Sequence, residues 1–420
     1  MKQYLIIGNG IAGTTAAEEI RKHDQDGEIL LVTNESLPLY SRIRLPDFLC
    51  GKIGEKELLI KNQDWHDKHK IRLLTETQIE KIDFNNKKAS QGSNYFEFDA
   101  LLLAVGSRAF IPPVKGCDQG GVFSLRSIND ANSIIKKLTL NKNLKNKTAQ
   151  PSESSPNSEN INKEKKEVVV IGGGLLGLEA AAAMLHSGIG VTVIEFCDRL
   201  LPRQLDYDGA KLLQMSLEKM GINFKLGEAT EEILGKIHDG AQRLASVLKK
   251  VKFKPQVTGV KLKSGEILKA DAVLFSAGVR PDLSLVVNSD IKVDKGVMVN
   301  AQMETSISSI YAAGDVAEYD GVNFCIWSEA MEQGRVAGIN MAGGDAQYKN
   351  IPPSNMLKVA GIALASAGEI DVDGKMDCDI VSTESIYKKI VKDKNGKIVG
   401  CIMIGDTTDF NKIFKQIKGE

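Results

Sequence analysis

The chain opens on an apolar run, "YLII" at residues 4–7, which leads through "GNGIAG" into "AGTTAAEEIRKH", where small and apolar residues recur at helical spacing. A second apolar run, "GEILLVTNE", follows at once. A strand that is apolar on both faces, a glycine turn, a helix and a further apolar strand predict a βαβ unit with a parallel pair. The whole pattern returns from Val168, in "VVVIGGGLLGLEAAAAML" and then "GVTVIE". The predicted fold class is therefore α/β, with two doubly wound, Rossmann-like dinucleotide-binding domains. Near the end, "SIYKKIVKDKNGKIVGCIMIG" sets Asn395-Gly396 between two β-rich runs, a hairpin signal that predicts a small C-terminal α+β domain. Residues 139–166 lose almost all apolar positions and become rich in Asn, Ser, Lys and Glu, as expected of a solvated, disordered insertion.

Composition narrows the function classes. Lys plus Arg and Asp plus Glu are balanced at 54 each in 420 residues, so no global charge points to nucleic acid or to a membrane surface. No stretch approaches the roughly 18 apolar residues of a spanning helix, and the N-terminus enters a strand too early for a signal peptide. The expectation is a cytoplasmic protein without nucleic-acid or membrane partners. Cys50, Cys117, Cys197, Cys325, Cys378 and Cys401 show no CxxC or metal-like spacing and read as reduced structural thiols. His66 and His69 in "WHDKHK" lack a third ligand and read as solvated helix residues, so no metal site is expected.

The chemistry sits in the two glycine turns. In Gly8-Asn9-Gly10-Ile11-Ala12-Gly13 the first glycine permits a tight turn, the second lets backbone approach a pyrophosphate, and the third lets helix pack on strand. The helix N–H groups then face the phosphates. Glu35, at the end of the second strand, stands where a carboxylate binds a ribose diol. Gly172, Gly174 and Gly177 repeat the fingerprint, and Glu195 closes the following strand 23 positions after Gly172. A carboxylate there accepts from a 2′-hydroxyl and repels a 2′-phosphate, which favours NADH over NADPH. Arg199 is read as a structural arginine. Two sites suggest two different dinucleotides, a flavin reduced by a nicotinamide.

With these residues the sequence resembles the FAD-dependent pyridine nucleotide-disulfide oxidoreductases, the glutathione-reductase-like superfamily. "LLLAVGS" (101–107), "LFSAGVRPD" (274–282) and "TSISSIYAAGDVAEYDG" (305–321) carry the resemblance further. It implies an FAD-binding domain of residues 1–122 and 283–348, an NAD-binding domain of 123–282 that includes the insertion, and a small domain of 349–420. The FAD site would comprise Gly8, Gly10, Ala12, Gly13, Glu35, Arg42, Ala104, Gly106, Gly314, Asp315 and Trp327, with Asp315 on the ribityl chain. The NAD site would comprise Gly172, Gly174, Leu175, Leu176, Gly177, Glu179, Glu195 and Gly278, with Glu179 touching the nicotinamide carboxamide. A helix beginning near Ser328, with Ala330, Met331, Val336, Ala337 and Met341 among its apolar positions, would point its N-terminus at the flavin pyrimidine edge, and Trp327 would lie near the ring.

The chain has no CxxxxC pair and no histidine after His238, so a dithiol-histidine mechanism lacks its proton-transfer partner. Cys50, 15 positions past Glu35, reads as a small buried hydrophobe. "SLPLYSRIRLPDFLCG", "NQDWHDKHKIRLL", "LPRQLDYDGAKLL" and "NMLKVAGIALASAGEI" are similar to the NADH:rubredoxin oxidoreductases and to the flavin half of the nitrite reductase large subunit, without a cysteine cluster for the latter's iron-sulfur centre. The resemblance also implies a basic residue just past Tyr40-Ser41-Arg42, where this chain has Pro46-Asp47. The expected activity is hydride transfer from NADH to FAD, with no obligatory catalytic side chain, and single-electron release to rubredoxin or a similar small redox protein. The expected protein is a monomer or homodimer. Rival readings are an NADH oxidase or peroxidase, the flavin component of a nitrite reductase-like system, and a non-enzymatic NADH-binding partner.

Overall fold

The computed structural model describes residues 1–140, 165–237, 254–350, 352 and 354–419. Most of the expected insertion, 141–164, lies outside the described residues. The chain forms two units.

The first unit contains Met1–Arg42, Glu55–Arg108 and Val279–Ile351. Its parallel five-stranded sheet runs Ile310–Ala312, Ala100–Leu103, Gln3–Ile7, Glu28–Val32, Ile71–Leu74. Side chains alternate across a strand, so the apolar run at the N-terminus serves two cores. Tyr4 and Ile6 pack toward helices Ile11–His23 and Trp327–Met341, whereas Leu5 and Ile7 pack on the other face with Ile82 and Ala89 of the small antiparallel sheet Lys81–Asp83, Lys88–Gln91, Asn94–Glu97 and with Phe98 just past it. Each leucine or isoleucine buried in this way contributes about 1.5–3 kcal/mol. The two helices approach closely because a Cβ on Gly334 would lie 2.3 Å from the Ala12 carbonyl oxygen.

The second unit contains Ile43–Gly54, Ala109–Gly278 and Pro352–Glu420. Its parallel sheet runs Asn223–Leu226, Gly190–Glu195, Glu167–Ile171, Ala272–Phe275, Val122–Ser124. The architecture repeats that of the first unit. Val168 and Val170 join a core with Leu178, Leu213 and Leu217 of the helices, and Val169 and Ile171 face an antiparallel sheet through Ile233 and Val260. The C-terminal domain is a five-stranded antiparallel sheet with helix Phe410–Lys418 on one face. Tyr387–Lys392 and Ile398–Ile404 form the hairpin around Asn395-Gly396, with Gly396 at φ +76. The other face of that sheet, through Leu364, Tyr387, Ile402 and Ile404, shares the core of the nucleotide-binding fold. A buried polar tie accompanies it. Lys389 pairs with Asp206 at 3.2 Å and Asp371 at 3.5 Å, and the Tyr387 hydroxyl donates to Asp206 at 2.6 Å.

These units divide the chain differently from the expected boundaries. Residues 43–54 and 109–122 belong to the second unit, because Leu49 is buried in its core and Val122–Ser124 is the edge strand of its sheet.

Three local expectations are corrected. Helix Trp327–Met341 starts one residue before Ser328, with Ile326 at its N-cap and no side-chain cap. Met331 is exposed, although Ala330, Val336, Ala337 and Met341 are buried as expected. His66 is fully buried rather than solvated. It lies on the inner face of the short helix Gln63–Lys68, its Nδ1 is 2.9 Å from the Asn62 carbonyl oxygen, and burial lowers its pKa. No group of metal-ligating side chains occurs among the described residues, and no described helix is long and apolar enough to cross a membrane.

Candidate functional site

Each unit carries one glycine turn at the carboxyl end of the central strand of its parallel sheet, and the two match bond for bond. Gly8 N–H donates to Val32 at 2.8 Å, and Gly172 N–H donates to Ile194 at 2.8 Å. Gly8 and Gly172 hold φ +114 and +116, open to glycine and strained for any other residue. A Cβ on Gly13 would sit 2.0 Å from the Gly8 carbonyl oxygen, and one on Gly177 would sit 2.2 Å from that of Gly172. At Gly10 and Gly174, the two N-caps, an added Cβ would meet nothing within 4 Å, so the backbone is open where a phosphate would approach.

In the first unit a pocket lined by Asn9, Gly10, Thr33, Glu35, Tyr40, Arg42 and Trp327 adjoins the turn. Glu35 accepts from the Tyr40 hydroxyl and from the Arg42 guanidinium, which orients its carboxylate at the strand end. Burial opposes the charge of Arg42, but the carboxylates of Glu35 and Asp315 and the nearby Tyr40 more than offset it and raise its pKa. Asp315 follows strand Ile310–Ala312 and accepts from the Ser107 hydroxyl at 2.6 Å. Gly314, beside it, donates its N–H to Gln333 at 2.9 Å, which ties this loop to helix Trp327–Met341. Ala104 touches the turn and Gly106 takes φ +74 next to Ser107. Ala12 and Gly13 are buried in helix Ile11–His23.

The residues of this pocket fit a dinucleotide. Asn9 is buried, and its Oδ1 accepts from the Thr14 hydroxyl at 2.8 Å while its Nδ2 has no partner among the described residues. Turning the amide over would leave the oxygen orphaned instead. A buried amide facing an open glycine backbone is satisfied by a polar ligand. An open backbone N–H array, a ribose-height carboxylate and this orphan donor together suit FAD.

In the second unit Glu195 is held by two backbone amides, Gly173 at 2.6 Å and Cys197 at 2.8 Å. Its carboxylate is thereby fixed at the mouth of the Gly172 turn, as a diol-binding acid requires. Arg199 donates to the carbonyls of Leu205 and Pro202 and lies 4.6 Å over the Tyr207 ring, a structural arginine. Leu175 and Leu176 open helix Leu175–His186 half-buried, and Gly278 turns at φ +94 after Ala272–Phe275. Glu179 is half-buried, and its Oε1 accepts from the Ala360 amide at 2.9 Å. Cys50 is buried in the second unit, and burial raises its thiol pKa.

Tyr40, Asn9, Ser107 and Gln333 were not among the expected site residues. Asn9 and Ser107 lie inside or beside the glycine motifs, where a polar residue next to an open backbone is the available signal, whereas Tyr40 and Gln333 reach the site only through the tertiary fold.

Comparison with known proteins agrees with this geometry. Residues 2–337 match the family described as pyridine nucleotide-disulphide oxidoreductase, and residues 353–420 match the rubredoxin NAD+ reductase C-terminal domain. The chain is 34% identical over 424 residues to a nitrite reductase (NAD(P)H) from Bacillus subtilis, covering all of this chain and 47% of that protein. It is 31% identical over 416 residues to an NADH-rubredoxin oxidoreductase from Clostridium acetobutylicum, covering 99% and 94%. The chain thus spans about half the length of the first relative and nearly all of the second. The crystal structure of the NADH:rubredoxin oxidoreductase from Clostridium acetobutylicum superposes with a TM-score of 0.74 at 30% identity, covering 100% and 95% of the two chains. The family binds FAD and NAD(H), and the two turns described above are where such groups fit. By fold, site and sequence, the chain belongs to the pyridine nucleotide-disulphide oxidoreductase family.

Proposed function

We propose that the protein is an FAD-dependent NADH oxidoreductase whose electron acceptor is rubredoxin or a similar small redox protein. The observation that carries the acceptor is the C-terminal segment 353–420, which matches the domain of rubredoxin NAD+ reductases. The first unit would hold FAD through the Gly8 turn, Asn9, Glu35, Arg42 and Asp315, and the second would hold NADH through the Gly172 turn and Glu195. Bound there, FAD supplies the conversion between two-electron hydride chemistry and one-electron release. The chain's own residues bind and orient. The helix N–H groups at Gly174 neutralise phosphate charge, Glu195 selects the unphosphorylated ribose, and Glu179 contacts the nicotinamide carboxamide. Hydride transfer needs proximity and excluded water rather than a protein acid or base. Preference for NADH over NADPH follows from Glu195.

The acceptor is tested with purified FAD-loaded protein and NADH under anaerobic conditions. Rubredoxin should be reduced at a kcat/KM well above that for ferricyanide. Equal or slower reduction of rubredoxin contradicts the assignment, and rapid oxygen consumption in air would move the reading to an NADH oxidase.

A further inference from the structure

One unassigned contact in the second unit joins the nucleotide-side helix to the C-terminal domain. Glu179 lies near the start of helix Leu175–His186, and Ala360 belongs to the turn between Ser354–Val359 and Ile362–Gly368, 181 residues away in sequence. Val359 pairs with Ile362, so the turn has two residues, and both have positive φ, Ala360 at +51 and Gly361 at +87. That is the type I′ geometry. In it the first turn residue gives no amide to the hairpin ladder, so its N–H is free to serve elsewhere. Here it serves Glu179 Oε1 at 2.9 Å. Glu179 Oε2 has no donor among the described residues. The charged neighbours of this carboxylate are Asp47 and Lys52, from the segment Ile43–Gly54 that packs helix Leu45–Leu49 on the same helix. No basic side chain is paired with Glu179 among the described residues. A backbone amide from the C-terminal domain therefore does the orienting that an ion pair would otherwise do.

We infer that the tip of this hairpin is a positioning element of the NADH site: the Ala360 N–H fixes Glu179 Oε1 and leaves Oε2 as the acceptor for the nicotinamide carboxamide. The C-terminal domain is then part of the nucleotide site as well as the segment linked to the acceptor. The inference rests on the reading of Glu179 as the carboxamide contact. An oriented carboxylate loses less freedom on binding than a mobile one, so the hairpin should act on NADH affinity. The side chain at position 360 matters little, because the contact is made by the backbone.

A double-mutant cycle on the FAD-loaded full chain tests this, with FAD content and Tm checked for every variant. KM for NADH and kcat are measured with ferricyanide. Glu179→Ala should raise KM for NADH. If it does not, the Glu179 reading fails and the inference with it. Ala360→Pro removes the N–H and, because proline is held at about φ −65 where this turn uses +51, also draws position 360 away from Glu179, so KM should rise by at least about three- to tenfold with kcat little changed. The same change in the Glu179→Ala background should have no further effect on KM. Ala360→Gly keeps the N–H in a turn that glycine accepts, and should return KM to that of the parent. Equal KM effects of Ala360→Pro in both backgrounds, no effect in either, or a matching defect in Ala360→Gly would overturn the inference while leaving the Glu179 reading in place. Should Ala360→Pro not fold, amide exchange of the unmodified hairpin decides the matter. NAD+ should slow exchange at Ala360 in the parent protein and leave it unaltered in Glu179→Ala. Exchange at Ala360 that ignores both NAD+ and Glu179 would overturn it.

Discussion

Gly177→Ala should disable one nucleotide site and spare the other. The added Cβ would lie 2.2 Å from the Gly172 carbonyl oxygen, 3.2 Å from Ser276 Cβ and 3.2 Å from Ser276 Oγ. Carbon and oxygen normally come no closer than about 3.3 Å, so helix Leu175–His186 must withdraw by about 1 Å from the turn that aims its N–H groups. The backbone oxygen cannot move aside, because the turn is pinned by Gly172 N–H on Ile194. Overpacking of this kind costs about 1–3 kcal/mol. Taken from binding, at 1.4 kcal/mol per decade, that is roughly a five- to hundredfold rise in the dissociation constant for NAD+. The assay is a titration with NAD+ and the KM for NADH with ferricyanide, alongside FAD content per chain. FAD content should stay at the parent level, because the Gly8 turn belongs to the other unit. Gly13→Ala, whose Cβ would lie 2.0 Å from the Gly8 carbonyl oxygen, should do the reverse and lose FAD. A Gly177→Ala protein that binds NAD+ normally, or that loses FAD in step with NAD+, refutes the assignment of one nucleotide to each turn.

Three further outcomes follow from named contacts. Glu195→Ala frees the Gly173 and Cys197 amides and removes the ribose acceptor, so KM for NADH should rise about tenfold and the NADH-to-NADPH preference should narrow; an unchanged preference counts against Glu195 as the selecting residue. Burial raises the Glu179 pKa, opposed by the Ala360 amide and Lys52 and reinforced by Asp47. The ionised form that accepts from a carboxamide is therefore lost at a higher pH than for an ordinary glutamate, KM for NADH should climb as pH falls through that raised value, and Glu179→Gln should flatten this limb; a flat parent profile contradicts the role. Lys389→Ala leaves Asp206 and Asp371 buried without their cation, which should cost about 3–5 kcal/mol in chemical denaturation of the second unit while FAD content holds, and a loss below about 1 kcal/mol would show the pair to be solvated.

The two α/β repeats were legible because their signals are local. Strand, glycine turn and helix lie within about twenty residues of one another, and hydrophobic period, turn chemistry and carboxylate position agree. Gly8, Gly13, Gly172 and Gly177 stand where that pattern requires. Asp206 and Lys389 were less legible, although Tyr387, Lys389 and Val391 share one face of an alternating strand whose buried side faces a core. A lysine in that register needs a distant acid, and the sequence does not say which. The burial of His66 is hidden in the sequence because a six-residue helix has too few apolar positions to fix its inner face. Ala360 was invisible for a different reason: its role uses only the backbone N–H, which every residue but proline carries. The helix start at Trp327 differed by one residue because no side chain caps it, so the sequence held no marker for that end.

Anaerobic stopped-flow mixing of the FAD-loaded protein with NADH follows the passage of hydride from one nucleotide site to the other. Two separate dinucleotide turns, one in each unit, predict that NADH bleaches the visible flavin absorbance in a fast single-turnover phase whose rate saturates with NADH concentration, and that NADPH does so with a much weaker apparent affinity. A flavin spectrum that stays oxidised under excess NADH would contradict the account.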